Sequence, residues 1–220
     1  MIRGVIFDLD NTLVDSIDSI TKCADHVLRG MGKGGIDRAT AEGAMGLTLF
    51  DLFALVEPDL SEAEKVRLFD DYRRCYMDFS HETKILPHAR EALASASSRG
   101  LRLALVTTKS SGNARKILKA FGMHGFFMAV VGFEDTKKHK PSPEPIFKAL
   151  ELLGLGAGEV LVVGDTEMDI MAGRGAGAKT VAVTTGVTPR ERLAPEKPDY
   201  IVDDLSELDS ILKSLLPAKD

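Results

Sequence analysis

Short apolar runs that end abruptly in polar residues recur along this chain, and each is followed by a stretch with helical spacing. The runs cover residues 5–7, 103–106, 128–131 and 160–163. Apolar strands that alternate with helices are typical of βα units, which place their strands in a parallel sheet. Parallel strands deliver their carboxyl ends to one edge. The pattern therefore predicts an α/β fold in which the polar strand ends meet at a single edge.

The βα alternation stops after Ser16 and resumes near residue 84. Between these points apolar residues recur at helical spacing in three stretches, at residues 17–28, 49–56 and 66–76. Several glycines separate the first two stretches, and Pro58 lies between the second and third. We predict an all-helical domain at residues 15–82, inserted into an α/β domain formed by residues 1–14 and 83–220. The two crossings, near Asp15 and at residues 83–87, would be its hinges.

The remaining pattern predicts further elements after the insertion. Helices are predicted at residues 88–100, 111–121 and 142–153, with Ser142 as the N-cap and Pro143 in the first helical position of the last one. A strand is predicted at 182–186, a short edge strand at 199–202 and a helical tail at 205–216. Residues 190–197 are charged and contain proline, which predicts a solvated loop.

Composition narrows the function classes. The 220 residues are 44% hydrophobic and 28% charged, which is ordinary for a soluble globular protein. A net charge of −5 argues against nucleic acid or an anionic membrane as the partner. No apolar run approaches the ~20 residues of a membrane span. Cys23 and Cys75 are too few for a disulfide framework, so we expect free thiols in a reducing cytoplasm.

Two carboxylates, Asp8 and Asp10, follow the first strand with one residue between them. Like charges this close repel unless a cation or a shared proton holds them. The pair therefore indicates a divalent-metal site or a nucleophile with an acid/base partner, with a solvated acidic turn as the alternative. Thr107 and Asp165 end two other strands. The loop after the strand at residues 128–131 is charged and contains Lys140. The Thr107 hydroxyl, a lysine ammonium and the Asp165 carboxylate, placed beside the Asp pair, would form a site suited to phosphate and a metal.

Four segments of the chain, in order, resemble the motifs of the haloacid dehalogenase superfamily of phosphohydrolases. They are DLDNTLVDS at residues 8–16, Thr107, KPSP at residues 140–143 and GDTEMD at residues 164–169. The resemblance spans nearly the whole chain and is strongest to the phosphoglycolate phosphatase-like subgroup. It implies a Rossmann-like parallel sheet core with a helical cap at the position of the predicted insertion.

The resemblance assigns roles to the two aspartates that their spacing alone leaves open. Asp8 would be the nucleophile that forms an aspartyl phosphate, which divides one difficult hydrolysis into two steps. Asp10 would protonate the leaving alcohol and then take a proton from the attacking water.

The same resemblance implies a Mg²⁺ site. The expected ligands are Asp8, the backbone carbonyl of Asp10 and Asp165, because Mg²⁺ prefers oxygen ligands and bridges to phosphate. Asp169 would orient Asp165 or a metal-bound water. Both carboxylates also have structural interpretations, since Asp165 could be a helix N-cap and Asp169 a first-turn carboxylate favoured by the helix dipole.

Phosphate binding is expected from Thr107, Thr108 and Lys140. Thr107 would offer a hydroxyl and nearby N–H groups, although a threonine at a strand end is usually structural. Thr108 stands where many relatives carry Asn. Lys140 would neutralise phosphate charge and hold Asp8. In the cap, the segment Gly46-Leu47-Thr48 resembles the one that faces the phosphate in relatives and is expected to select the substrate.

The resulting prediction is a Mg²⁺-dependent phosphatase for a small phosphorylated metabolite, with 2-phosphoglycolate as the leading substrate. A pyrophosphatase of the same fold is one alternative. A sugar-phosphate mutase resembling β-phosphoglucomutase is another, although relatives with that activity tend to carry histidine where this chain has Ile20. A non-catalytic binding protein would have lost a motif residue, and none is lost. The sequence does not indicate an oligomeric state.

Overall fold

A six-stranded parallel sheet lies at the centre of the computed structural model, which describes residues 1–216. Its strands are β1 (Gly4–Phe7), β4 (Arg102–Val106), β5 (Phe127–Val131), β6 (Val160–Gly164), β7 (Lys179–Val183) and β8 (Tyr200–Val202). Their order across the sheet is β5-β4-β1-β6-β7-β8, and every neighbouring pair is parallel. The predicted α/β, Rossmann-like core is therefore confirmed.

Helices cover both faces of this sheet, which explains why its central strands are apolar along their whole length. The core helices are α5 (Ala89–Ser98), α6 (Ser111–Ala120), α7 (Glu144–Leu153), α8 (Glu167–Gly175), α9 (Arg190–Leu193) and α10 (Leu208–Leu215). Side chains alternate along β1, so Ile6 packs in the apolar cluster that includes residues of α7 and α8. Val5 and Phe7 pack in the opposite cluster with residues of α5, α6 and α10.

Four helices and a two-stranded ribbon occupy the region between β1 and α5. The helices are α1 (Ile17–Gly30), α2 (Arg38–Gly43), α3 (Leu49–Val56) and α4 (Glu62–Phe79). We call these helices and their connections the cap; they lie within the range predicted for the inserted domain. The ribbon pairs β2 (Val14–Asp15) with β3 (Lys84–Ile85), so both predicted hinges meet in one antiparallel pair. Neither the ribbon nor α2 was predicted.

Four predicted elements differ in the structure. Residues 190–196 form α9 and a 3₁₀ turn rather than a loop, because Leu193 is fully buried with Ile170 and Ala182. The other residues of 190–197 are exposed or half-buried, in agreement with the predicted solvation. Helix α7 begins at Glu144, one residue later than predicted, and Ser142 Oγ accepts from the Glu144 N–H at 3.3 Å.

The predicted strand at 182–186 is shifted toward the amino terminus. Strand β7 ends at Val183, since its pairing with β6 ends at Ala182 and its pairing with β8 ends at Val183. The helical tail also begins later than predicted, with a 3₁₀ turn before α10. Residues 217–220 of the predicted core domain lie outside the described residues. Of the helices in residues 1–216, none has the length and apolar character needed to cross a membrane.

Candidate active site

The carboxyl edge of the sheet brings together residues that are far apart in sequence. Asp8 follows β1, and its N–H still donates to the Val163 carbonyl at 2.9 Å, so the aspartate is held at the end of the ladder. Asn11 then adopts a left-handed φ of 59°, which turns the chain and places Asp10 beside the same edge. Since β1 lies between β4 and β6, the loops that follow those strands flank Asp8 and Asp10.

Lys140 lies at the centre of this cluster. Its Nζ donates to Asp8 Oδ1 at 2.7 Å, to the Val106 carbonyl at 3.4 Å and to Asp169 Oδ1. These contacts use all three N–H groups of an ammonium. Burial disfavours the charged ammonium, but the Asp169 and Asp8 carboxylates outweigh burial and raise the pKa of Lys140 above its ordinary value.

Asp8 is held in an environment that resists its ionisation. Its pKa is raised from 3.8 to about 7, mainly by burial; Lys140 opposes this rise, while the nearby charges of Asp169 and Asp10 add to it. One lysine therefore does not fully compensate this group of carboxylates. An additional cation at the site would favour the ionised, nucleophilic form of Asp8.

The carboxylates offer free oxygens for such a cation. Oxygens of Asp8, Asp165 and Asp169 lie within 4.8 Å of one another. Thr12 Oγ1 donates to Asp165 Oδ1 at 3.0 Å, while the buried Asp165 Oδ2 has no hydrogen-bond partner within residues 1–216. Burial and the charges of Asp169 and Asp8 raise the pKa of Asp165 well above its ordinary value. A hard divalent cation that takes oxygen ligands fits this donor set.

Asp169 is less available than its neighbours. Its Oδ1 accepts from Lys140, and its Oδ2 accepts from Thr166 N–H at 3.1 Å and Thr166 Oγ1 at 2.6 Å. Thr166, and not Asp165, is the N-cap of α8, with Asp169 in the reciprocal capping position. Asp169 thus contributes both to the helix start and to the orientation of Lys140, while Asp165 is left free of a capping role.

Loop Thr185–Gly186, which follows β7, closes the site behind Asp165. A Cβ built on Gly186 would lie 1.9 Å from Asp165 Oδ2, so only glycine lets the backbone approach this oxygen. The Thr185 hydroxyl donates to the Asn11 carbonyl at 2.6 Å and ties the same loop to the turn that carries Asp10.

Asp10 has different partners from Asp8. Its Oδ1 accepts from Ser16 Oγ, and its Oδ2 lies 3.3 Å from Lys109 Nζ. The Lys109 ammonium also lies 4.2 Å from the ring centroid of Tyr76, which belongs to the cap. The carboxylate of Asp10 therefore has partners of its own and does not belong to the group formed by the Asp8, Asp165 and Asp169 oxygens.

The two threonines predicted to bind phosphate are placed differently. Thr108 lines a cavity between the core and the cap, whereas Thr107 is buried and its Oγ1 accepts from the Lys109 N–H at 3.2 Å. Thr107 thus shapes the loop after β4.

The cavity above these residues has a volume of about 50 Å³ and is lined by residues of both the core and the cap. Its floor contains the charged side chains of Asp8, Asp10, Lys109, Lys140 and Asp169. Its cap wall is uncharged throughout the described residues, and its larger side chains are Ile20, Met45, Leu47, Leu49, Leu52 and Tyr72. A charged floor under an apolar wall is suited to a reaction from which bulk water is excluded.

The predicted specificity segment lies at this wall. Gly46 has a φ of +87°, and a Cβ there would lie 3.2 Å from Thr166 of the core. Leu47 and Thr48 also line the cavity. Thr48 has a structural task as well, since its hydroxyl is the N-cap of α3 and accepts from the Asp51 N–H at 3.2 Å.

Three residues that contact the predicted site were given no role by the sequence. Thr12 and Ser16 lie inside the first motif and bond Asp165 and Asp10, but hydroxyls in a turn carry no distinguishing signal. Lys109 was the more informative omission. A lysine two residues past Thr107, in a loop at the carboxyl edge of the sheet, is a signal that could have singled it out.

Comparison with known proteins shows the family. The chain matches the haloacid dehalogenase-like hydrolase family over residues 5–183, and it belongs to that family. It is 33% identical over 216 residues to the pyrophosphatase PpaX of Bacillus pumilus, covering 96% of both chains. It is 32% identical over 238 residues to the phosphoglycolate phosphatase of Salmonella choleraesuis, covering 94% of this chain and 91% of the relative.

Solved structures agree with this assignment. The haloacid dehalogenase-like family hydrolase of Streptococcus pneumoniae superposes with a TM-score of 0.82 at 28% identity, covering 98% of this chain and 99% of the other. The family and fold of the protein are thus those that the sequence resemblance implied, and the protein is a hydrolase of the phosphatase type.

Proposed function

We propose that this protein is a Mg²⁺-dependent phosphohydrolase that transfers a phosphoryl group to Asp8 and then to water. The observation that supports the proposal is that two buried aspartates have different partners. Asp8 is bound to Lys140 beside two further carboxylates, while Asp10 is held apart by Ser16 and Lys109. Such a division suits one aspartate as nucleophile and the other as acid and base.

Mg²⁺ would be held by the open oxygens of Asp8 and Asp165 and by the backbone carbonyl of Asp10, with Asp169 outside the ligand set because both of its oxygens have donors. When bound, Mg²⁺ would neutralise charge on the phosphoryl oxygens and favour ionised Asp8. Lys140 keeps Asp8 in place and supplies a second positive charge to the transferring phosphoryl group.

The chemical steps then follow from the residues at the site. An Asp8 oxygen attacks phosphorus as the bond to the leaving oxygen breaks, and Asp10 gives that oxygen a proton. Asp10 next takes a proton from a water molecule, whose oxygen attacks the aspartyl phosphate, releases inorganic phosphate and restores Asp8. The cap wall excludes other water during the first step.

Two substrates are the leading candidates. Phosphoglycolate is favoured by the motif resemblance and by the relative that bears that name. Pyrophosphate is favoured by the PpaX relative, which is similar over nearly the whole chain. The fold itself supports many substrates and does not choose between them. We further propose a cytoplasmic location, in keeping with the free thiols of Cys23 and Cys75.

The test is phosphate release from phosphoglycolate, pyrophosphate, hexose phosphates and nucleoside monophosphates, with Mg²⁺ and with a chelator. We expect Mg²⁺-dependent release that is much faster for one compound than for the rest. Isomerisation of a hexose phosphate without phosphate release would instead support the mutase alternative. No turnover of any compound with Mg²⁺ would contradict the proposal.

A further inference from the structure

Within the described residues, the two lysines of the site differ in how many partners surround their ammonium groups. Lys140 bonds two carboxylates and a carbonyl. Lys109 is equally buried, with 5% of its side chain exposed, yet within residues 1–216 it pairs with one carboxylate, Asp10, and lies over one aromatic ring, Tyr76. An ammonium has three donors. Lys109 therefore has hydrogen-bonding capacity left, and it lines the cavity.

Lys109 lies where the leaving group of the substrate would be bound. In the proposed reaction Asp10 protonates the leaving oxygen, so the leaving group lies next to Asp10. Lys109 Nζ is 3.3 Å from Asp10 Oδ2 and is therefore beside the leaving group, whereas Lys140 contacts Asp8 at the phosphoryl end. The cap wall opposite is uncharged within the described residues. An anion on the leaving group would have Lys109 as its positive partner.

We propose that Lys109 binds a negatively charged group on the leaving side of the substrate, and that the enzyme therefore prefers phosphate compounds whose leaving group is itself anionic. This inference rests on the proposed function and narrows its substrate class. A second phosphate or a carboxylate near the scissile bond meets the requirement. A neutral leaving group would leave a buried donor facing an apolar wall, which is costly, and sites built to bond a polar group reject analogues that lack it.

The test compares anionic and neutral leaving groups in the full chain with Mg²⁺. The anionic substrates are pyrophosphate and phosphoglycolate, and the neutral ones are methyl phosphate and n-propyl phosphate. We expect Lys109→Met to lower kcat/KM for the anionic pair about ten- to a hundred-fold more than for the neutral pair, the size expected for a hydrogen bond between charged groups. Intrinsic leaving-group reactivity cancels, because each substrate is compared between variant and wild type.

A control and a second readout separate binding from the support that Lys109 gives to Asp10. Lys116→Met removes the same charge from an exposed position on α6 and should leave every ratio unchanged. Lys109→Met should also weaken competitive inhibition by phosphonoacetate but not by ethylphosphonate, since inhibitor binding needs no proton transfer. If circular dichroism shows that Lys109→Met does not fold, the same measurements are made on Lys109→Gln and Lys109→Arg. Arginine should retain part of the preference for anionic leaving groups.

The outcomes are distinct from those that test the proposed function. An equal loss of kcat/KM for both substrate pairs, or a wild type that shows no preference for anionic leaving groups, would overturn the inference while leaving the phosphohydrolase intact. No hydrolysis of any of the four compounds by the wild type would contradict the proposed function itself. Between pyrophosphate and phosphoglycolate, the substrate whose kcat/KM falls more in Lys109→Met identifies whether the anion is a phosphate or a carboxylate.

Discussion

The floor and the wall of the cavity differ in the polarity of the side chains that form them. The floor, at the carboxyl edge of the sheet, contains buried charges held by specific partners, such as Lys140 between Asp8 and Asp169. The wall, supplied by the cap, is largely apolar, and none of the described residues that line it is charged. Under the proposed function, the core would supply the chemistry, while the cap would contribute shape and exclude water. Any charged part of the substrate would then depend on core residues.

The two regions also differ in what a substitution costs. Removing one partner of a buried ion pair leaves an uncompensated charge, and the penalty is typically ~3–5 kcal/mol. Replacing a wall residue changes packing or backbone strain without exposing a buried charge. Substitutions in the floor should therefore affect turnover and stability most, and substitutions in the wall should have smaller effects.

The largest expected effect is that of Asp8→Asn on turnover. The amide keeps the size of the side chain but is not a nucleophile, so kcat should fall by more than about a thousandfold. Phosphate release and circular dichroism would be measured together. Asp59→Asn, at an exposed cap position, is the matched control and should retain activity. Near-normal turnover by a folded Asp8→Asn protein would exclude the mechanism.

Lys140→Met tests how much the buried ion pairs of the floor contribute to the free energy of unfolding. Without metal, the free energy of unfolding near neutral pH should fall by ~3–5 kcal/mol, because Asp8 and Asp169 lose their shared partner. Lys148→Met breaks the exposed pair with Glu151 on the neighbouring α7 and should cost about 1 kcal/mol or less. Urea denaturation measures both. Equal costs would show that burial does not distinguish the two pairs.

The effect of Mg²⁺ on Tm should depend on pH. The pKa of Asp8 is raised from 3.8 to about 7 in the folded, metal-free protein, so folding favours its protonated form. As pH rises from about 4 through 7, ionisation of Asp8 removes stability from the metal-free protein. In the proposed site Mg²⁺ would bind the ionised form of Asp8, so its addition should raise Tm little at pH 5 and more at pH 8. Calorimetry would measure this, and an equal rise at both values would contradict the proposed ligand set.

In the wall, Gly46→Ala should have a moderate effect. Gly46 has a left-handed φ, and a Cβ would press on Thr166, so we expect a loss of ~1–2 kcal/mol in stability and a several-fold fall in kcat/KM. Gly43→Ala is the matched control in the same segment, because no atom lies within 4 Å of its Cβ position. If both variants behave alike, the contact between Gly46 and Thr166 has no role in holding the cap over the site.

The smallest expected effect is that of Thr48→Ala. Loss of the N-cap of α3 should cost about 1 kcal/mol, and Thr48→Ser should restore it. Turnover should change by less than in Gly46→Ala, because the Thr48 hydroxyl bonds Asp51 rather than a residue of the floor. A larger loss of kcat/KM in Thr48→Ala would assign that hydroxyl to the substrate.

Much of the fold could be predicted because its signals are local. Strands β1, β4, β5 and β6 are short apolar runs, and the cap helices α1, α3 and α4 carry helical spacing. Residues 190–197 show where local signals fail. Their charges and proline correctly indicate exposure but also suggest a loop, whereas Leu193 packs between α8 and β7 and the segment is helical.

The sequence by itself determined the elements, the family and the group of polar residues at the strand ends, because hydrophobic periodicity and ordered motifs are written along the chain. Only the tertiary structure decided which of those residues touch. It paired Asp10 with Lys109, left Asp165 Oδ2 without a hydrogen-bond partner among residues 1–216, and placed Gly186 against that oxygen. These contacts join loops from different strands and the cap, and their distances depend on strand order and helix packing, which no local pattern encodes.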